Sequence, residues 1–183
     1  MKLSGKLIYL VPFEEIHFNT DYLEWLRDID VIKYIGREEY LLPIHTGEIE
    51  KYIKGLWANP YCGFFSLYRS DEKRFIGTAK VSFGNEEGYR NRIADLGIMI
   101  GDKKSWGLGF ATDCISVLAR YAFNTLGVRK LTAGAVSSNV AVIKAFKKLG
   151  FIEEGRLRKK VFVSGGYDDH VLMGCFHEEL KEI

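Results

Sequence analysis

Three short stretches of this chain bring together residue types that could do chemistry. The first is residues 98–112, IMIGDKKSWGLGFAT, where an apolar run enters a loop carrying Gly107 and Gly109, with Lys103 and Lys104 beside it. Where such a loop opens a helix, the first-turn N–H groups lack partners and the dipole end is positive, while glycines let a phosphate approach the backbone. No Gly-Lys-Ser/Thr closes the loop, so it is not a P-loop, and Thr112 stands where a dinucleotide fingerprint has its third glycine. On the glycines alone two readings stay open, a phosphate site and an ordinary strand-to-helix turn.

The run before the loop supplies a carboxylate. Alternation puts Ile93, Asp95, Gly97 and Met99 on one face of a strand and Ala94, Leu96, Ile98 and Ile100 on the other. A glycine inside a strand marks a bulge or a close approach by another chain or a ligand. Asp95, set among apolar neighbours, would have its pKa raised by burial, which suits a general base or a water-positioning group. Pairing with Arg90 or Arg92 is the equally weighted structural role. The third stretch is Ser137-Ser138-Asn139, a polar cluster between a strand and a helix, where open α/β sheets bind ligands. Asn139 or Ser138 could equally serve as a helix N-cap.

These residues need elements to hold them. Strands are expected over 5–13, 64–69, 75–83, 93–100, 130–136, 158–163 and 169–176. Helices are expected over 18–27, 46–58, 107–126 and 140–149, with Thr46 a candidate N-cap, residues 28–40 in short turns and 85–91 in a loop. The order β-α-α-β-β-β-α-β-α-β-β is an α/β arrangement of mixed strand direction. With three prolines, no Ser/Gly-rich linker and no repeat, residues 1–183 read as a single domain.

Composition narrows the classes. The chain is 47% hydrophobic, enough for one core and against a disordered chain. A net charge of +2 does not supply the basic surface of a nucleic-acid binder. Cys62, Cys114 and Cys175 are scattered, and His17, His45, His170 and His177 form no i, i+4 pair, so no metal site and no disulfide framework is expected. No run is long and apolar enough for export or for a membrane, so the expectation is a cytoplasmic protein.

Taken together, the segments ADLGIMIGDKKSWGLGFATDCISVLARYAF and KLTAGAVSSNVAVIKAFKKLGFIEEGRLRKK, with the earlier YLEWLRDIDVIKYI, resemble the GNAT superfamily of acyl-CoA N-acyltransferases, in its RimJ/RimL-like branch. The resemblance implies an α/β single-domain fold with a mixed, mostly antiparallel sheet splayed in the middle and helices on both faces. It implies acetyl-CoA between the 93–100 and 130–136 strands, with no metal. The backbone of Ile98, Met99 and Ile100 would hold the pantetheine and thioester. Lys104, Ser105, Trp106, Gly107, Leu108 and Gly109 would hold the pyrophosphate, helped by Thr112. Asn139 would bond the pantetheine, and Lys144 or Lys147 would reach the nucleotide phosphates. The loop begins with Lys104 where relatives often have Gln or Arg.

The reaction implied is direct attack of a neutral primary amine on the thioester, without a covalent enzyme intermediate. A lysine-like amine (pKa about 10.4) must be deprotonated, whereas an α-amine (about 7.7–8.0) is partly free at neutral pH. Asp95 is the candidate base and Glu24 a second one. Relatives often place a Tyr or Ser on the second helix to protonate the thiolate; the matching positions are Phe146 and Val142, which cannot. The proton would come from water, the ammonium, Tyr167 or His170. Residues 14–50 carry ten acids against three bases and residues 144–160 seven bases against two acids. An acidic N-terminal lid would favour a cationic amine, or these charges are simply solvated faces. Tyr22, Trp25 and Tyr34 could line an acceptor surface or be core. The acceptor classes are a small-molecule amine such as an amino sugar or a polyamine, or a protein N-terminal amine, in a monomer or homodimer. A non-catalytic acetyl-CoA sensor is the alternative.

Overall fold

Alternating apolar and polar residues make β5 (Ile93–Ile100) a strand with two different faces, and the rest of the fold covers both. The computed structural model describes residues 1–35 and 46–182. Eight strands form one sheet in the order β1-β2-β3-β4-β5-β6-β8-β7. They are β1 (Leu3–Ser4), β2 (Ile8–Pro12), β3 (Cys62–Arg69), β4 (Phe75–Ser82), β5, β6 (Lys130–Val136), β7 (Ile152–Val163) and β8 (Gly166–Phe176). Every pairing is antiparallel except β5 with β6.

On one face lie α5 (Phe110–Asn124) and α6 (Val140–Lys148), which bury Ile115, Leu118, Ala122, Ala145 and Phe146 against Leu67, Leu96, Leu131 and Met173. On the other lie α1 (Thr20–Trp25), α2 (Ile29–Ile32) and α3 (Thr46–Ala58). Their Tyr22, Leu26, Ile32, Ile49 and Ile53 pack with Phe13 and Phe75, and Met99 reaches this cluster from β5. Ile98 and Ile100 pack against the first cluster, so the two-faced reading of β5 holds. The sheet with helices on both faces matches the expected fold. Among the described residues no helix is long and apolar enough to cross a membrane.

Several elements differ from expectation. The first strand is two, because residues 5–7 turn: Gly5 N–H donates to the Ile8 carbonyl at 2.8 Å, while the buried Asp113 carboxylate of α5 accepts the N–H groups of Lys6, Leu7 and Ile8. A Cβ on Gly5 would overlap that carboxylate. Residues 85–91 contain a helix, α4 (Glu86–Asn91), capped by Asn85, whose side chain accepts from Gly88 at 3.0 Å. Helix α5 begins at Phe110 rather than 107, since Gly107 and Gly109 hold φ of +75° and +87°. The final hairpin starts earlier than the pattern shows; β7 is exposed on both faces and so carries little hydrophobic alternation. The expected turn residues 36–40 lie outside the described residues, as do the side chain and capping role of Thr46.

Candidate active site

The parallel seam between β5 and β6 closes for only three residue pairs, Ile93–Lys130, Ala94–Leu131 and Asp95–Thr132. Beyond them both strands run on, β5 held by β4 through Ile100 and β6 held by β8 through Val136. The sheet therefore opens into a cleft whose inner end is Asp95–Thr132. Which backbone groups line it follows from alternation in antiparallel ladders. Gly101 N–H donates to Ile76 in register with β4, and Ser137 N–H donates to Asp169 in register with β8. Stepping back by twos, Met99 and Gly97 spend their backbone on β4. Leu96, Ile98 and Ile100 turn theirs to the cleft, facing those of Gly134 and Val136. Of the three residues expected to hold a thioester arm, Met99 therefore contributes its side chain to the lid-side core and Ile98 and Ile100 contribute backbone. The Ile100 carbonyl accepts from the Trp106 indole at 2.8 Å.

On the face that carries α1–α3, registers align the side chains in rows. Cys62, Ser82, Asp95, Thr132 and Gly174 form the last row that crosses the seam. In the next row Gly97 and Gly134 face each other across the opening, so no side chain stands on either lip at that level. Each glycine is roofed from an outer strand. The Lys80 side chain lies over Gly97, where a Cβ would sit 3.5 Å from Lys80 Cε, and a Cβ on Gly134 would overlap His170 Nε2. A window is left in the sheet, with Asp95 and Thr132 as its floor.

Asp95 accepts a hydrogen bond from the Thr132 hydroxyl at 3.1 Å. Its side chain is open to water, yet surrounding protein crowds the carboxyl, and desolvation pushes its pKa above the ordinary value. The Thr132 bond, Lys80 and His170 pull the other way. Both facts fit a group lining a crevice that water reaches from one side. The alternative pairing is not formed: Arg90 bonds Glu86 at 2.6 Å, and Arg92 ends α4 at φ +53°. Glu24 is exposed on α1, and no hydrogen bond or ion pair among the described residues joins it to Asp95.

At the outer end of β5 the chain makes a 3-10 turn, Lys103–Ser105, in which Asp102 accepts from the Lys104 N–H at 3.2 Å and the buried Ser105 hydroxyl at 2.6 Å. Arg74 clamps the same carboxylate at 2.7 Å. Lys103 is drawn to the lid, bonding Asp28 at 2.7 Å and Asp30 at 3.4 Å, while Lys104 is exposed. After Gly107 and Leu108, α5 opens at Gly109 with no side-chain cap, so its first-turn N–H groups, Thr112 among them, have no partner within the helix and none from its N-cap side chain. A helix start of this kind is one that an anion can approach.

The outer end of β6 is bonded within the protein. Asn139 caps α6, its side-chain oxygen accepting from Val142 at 3.4 Å. Asp168 takes the Ser137 hydroxyl and, at 2.9 Å, the Ser138 N–H; these donors hold its carboxyl well below the usual range. Lys147 pairs with Glu153 at 3.5 Å and Lys144 is exposed. Phe146 is buried on Phe151 and Val142 half-buried, so neither position offers a proton. An open depression of about 480 Å³ lies beside Ser138, lined by Tyr34, Tyr167 and Asp168. Tyr22 and Trp25 belong to the aromatic core, Trp25 standing over Gly101.

Sequence reasoning missed Gly134 beneath His170 and the Asp113 clasp. Both depend on register between distant segments, and only the glycine in the KLTAGAV strand was a visible sign.

Known proteins share this fold. The profile described as acetyltransferase (GNAT) domain matches residues 8–152. The probable N-acetyltransferase YjcK of Bacillus subtilis is 24% identical, covering 97% of this chain and 98% of its own. Among solved structures, the spermidine N-acetyltransferase of Vibrio cholerae in complex with CoA and spermine superposes with a TM-score of 0.83 at 22% identity, over 96% of this chain and 98% of that one. RimJ of Mycobacterium smegmatis in complex with CoA-disulfide gives 0.80 at 18% identity, over all of this chain and 90% of that one. With a matched profile spanning β2 to β6, both strands of the cleft and α5–α6, the chain belongs to the GNAT acetyltransferase family.

Proposed function

We infer that the cleft between β5 and β6 takes acetyl-CoA and that the protein moves its acetyl group to a primary amine. The observation that carries this is the seam that stops at Asp95–Thr132 while the cleft-facing backbone of Ile98 and Ile100 continues to an uncapped helix. An extended pantetheine can add there as a strand, with its diphosphate at Gly107–Gly109 and the α5 first turn. Lys104 and Lys144 stand exposed to meet nucleotide phosphates, and the Asn139 cap occupies only its side-chain oxygen, which leaves the amide group for the pantetheine.

The amine approaches through the Gly97–Gly134 window. Its nitrogen attacks the thioester carbon, the carbonyl oxygen takes up charge beside the Ile98 N–H, and the C–S bond breaks. Asp95 receives the amine proton, directly or through water; Glu24 is the alternative base from the lid side. The acceptor is a small-molecule amine such as an amino sugar or a polyamine, or a protein N-terminal amine. Asp28 and Asp30 are partly neutralised by Lys103 and Lys33, which tempers the lid's attraction for polycations.

Calorimetry with acetyl-CoA and thiol release in the presence of glucosamine, spermidine and an alanyl peptide test the proposal. Micromolar binding with amine-dependent release is expected; folded protein with no affinity for acetyl-CoA overturns it. The hydroxyl-free Phe146 and Val142 favour a second reading, a domain that binds acetyl-CoA without turnover, which binding without release for any amine would establish.

A further inference from the structure

The reading above leaves the departing sulfur without a proton donor, since Phe146 and Val142 have none to give. Tyr167 stands at the hairpin, 70% exposed, with its ring 5.4 Å from that of Phe162. His170 is placed otherwise. It lies in register with Val136, on the cleft side of β8, and leans back over Gly134 so closely that any other residue there would displace it. The overlapping atom is Nε2, so the imidazole tip stands at the row where the sheet first parts. Among the described residues, the titratable groups on this sheet face around it are Asp168, two residues before it on β8, the Glu154–Lys130 pair by Gly174, and, across the opening, Asp95, Lys80 and Cys62. Lys80 lies on the opposite lip over Gly97, beside Asp95. The window thus has a carboxylate and an ammonium on its β5 side and an imidazole on its β6 side, where the nearest carboxylate on the strand, Asp168, is taken by Ser137 and Ser138.

We propose that His170 is the proton donor to the leaving thiolate, seated by Gly134 across the cleft from the base. This rests on acetyl-CoA occupying the cleft. As the C–S bond breaks, its electron pair goes to sulfur and the imidazolium Nε2–H gives sulfur its proton. The amine proton leaves to Asp95 and then to solvent, and the imidazole regains a proton from solvent. One amine and one thioester become one amide and one thiol, with no net proton change. Lys80 has a different part, holding Asp95 in its ionised form.

The test needs no acceptor. CoA bound to the protein is titrated with pH and its thiolate followed by ultraviolet absorbance, in the wild-type chain and in His170→Asn, Gly134→Ala and Lys80→Met. A ring N–H donating a hydrogen bond to sulfur favours thiolate over thiol. The bound thiol is therefore expected to titrate about one pH unit lower in the wild type than in His170→Asn, with calorimetric affinity for CoA retained. Gly134→Ala, which pushes only the flexible tip of His170 aside, should match His170→Asn, so the result stands on two variants of different folding risk. A thiol titration unchanged in both overturns the proposal, as does a shift lost only in Lys80→Met. Wild-type protein that binds no CoA overturns the cleft reading itself, an outcome separate from an unshifted thiol.

Discussion

The two lips of the cleft are built on opposite plans. Both lips turn backbone to the cleft, and they differ at their outer ends: the β5 lip runs to a helix whose N-cap residue, Gly109, has no side chain to bond the N–H groups behind it. The outer end of the β6 lip has its polar groups engaged. Asn139 caps α6, and Asp168 binds the Ser137 hydroxyl and Ser138 N–H together. Both lips end in a helix N-terminus with the same dipole, so the dipole alone does not choose where a diphosphate goes. The choice is made by which N–H groups are already bonded. In the proposed reading one lip binds and the other is a stiff wall over which His170 leans from β8.

The contrast can be broken at several points. The largest effect is expected for Asp95→Asn, which removes the base from the inner end while leaving the phosphate end intact: kcat should fall about 10²–10⁴-fold with acetyl-CoA affinity unchanged. Because desolvation raises the Asp95 pKa, the ionised, active form is lost as pH falls through a value above the usual 3.8. That acid limb of the rate profile should vanish in the variant. Next comes Gly109→Asp. Aspartate tolerates a positive φ, and its carboxylate would cap α5 and repel a diphosphate, so calorimetric affinity for acetyl-CoA should drop about a hundredfold. If it does not, the open lip is not where the diphosphate sits. Asn139→Ala, on the bonded lip, should cost about 1 kcal/mol of stability from the lost cap and only a few-fold in affinity. The smallest effect is pH-linked. Asp168 has its folded pKa depressed, so its clasp contributes stability above the ordinary carboxylate range and loses it as pH falls through that range. Melting temperatures measured downward from pH 6 should fall more steeply in the wild type than in Asp168→Asn.

The two plans were unequally legible in the amino-acid order. Residues 93–100 announced themselves, because a strand lying between two different cores must alternate, and Asp95 and Gly97 stood out against that alternation. The glycines before α5 were equally visible, since only their backbone can take φ of +75° and +87°. What the reading could not see was pairing at a distance. That Lys103 is captured by Asp28 and that Asp113 gathers the turn before Ile8 are contacts between segments up to 107 residues apart. Helix α4 escaped because its six residues, with Tyr89 the one aromatic among polar neighbours and a glycine, carry no apolar stripe. Strand β7 stayed partly hidden for a related reason: with both faces wet, its residues 152–157 have no alternation to show.

Two indole rings bracket the open lip. Trp25 rests on Gly101, just past the end of β5, and Trp106 ties its ring nitrogen to Ile100 before the glycines begin. The chain holds three tryptophans in all. Two of the three tryptophans therefore stand at the doorway a nucleotide would use, and the colour of tryptophan emission alone, with no dye or tag attached, should tell when something walks in.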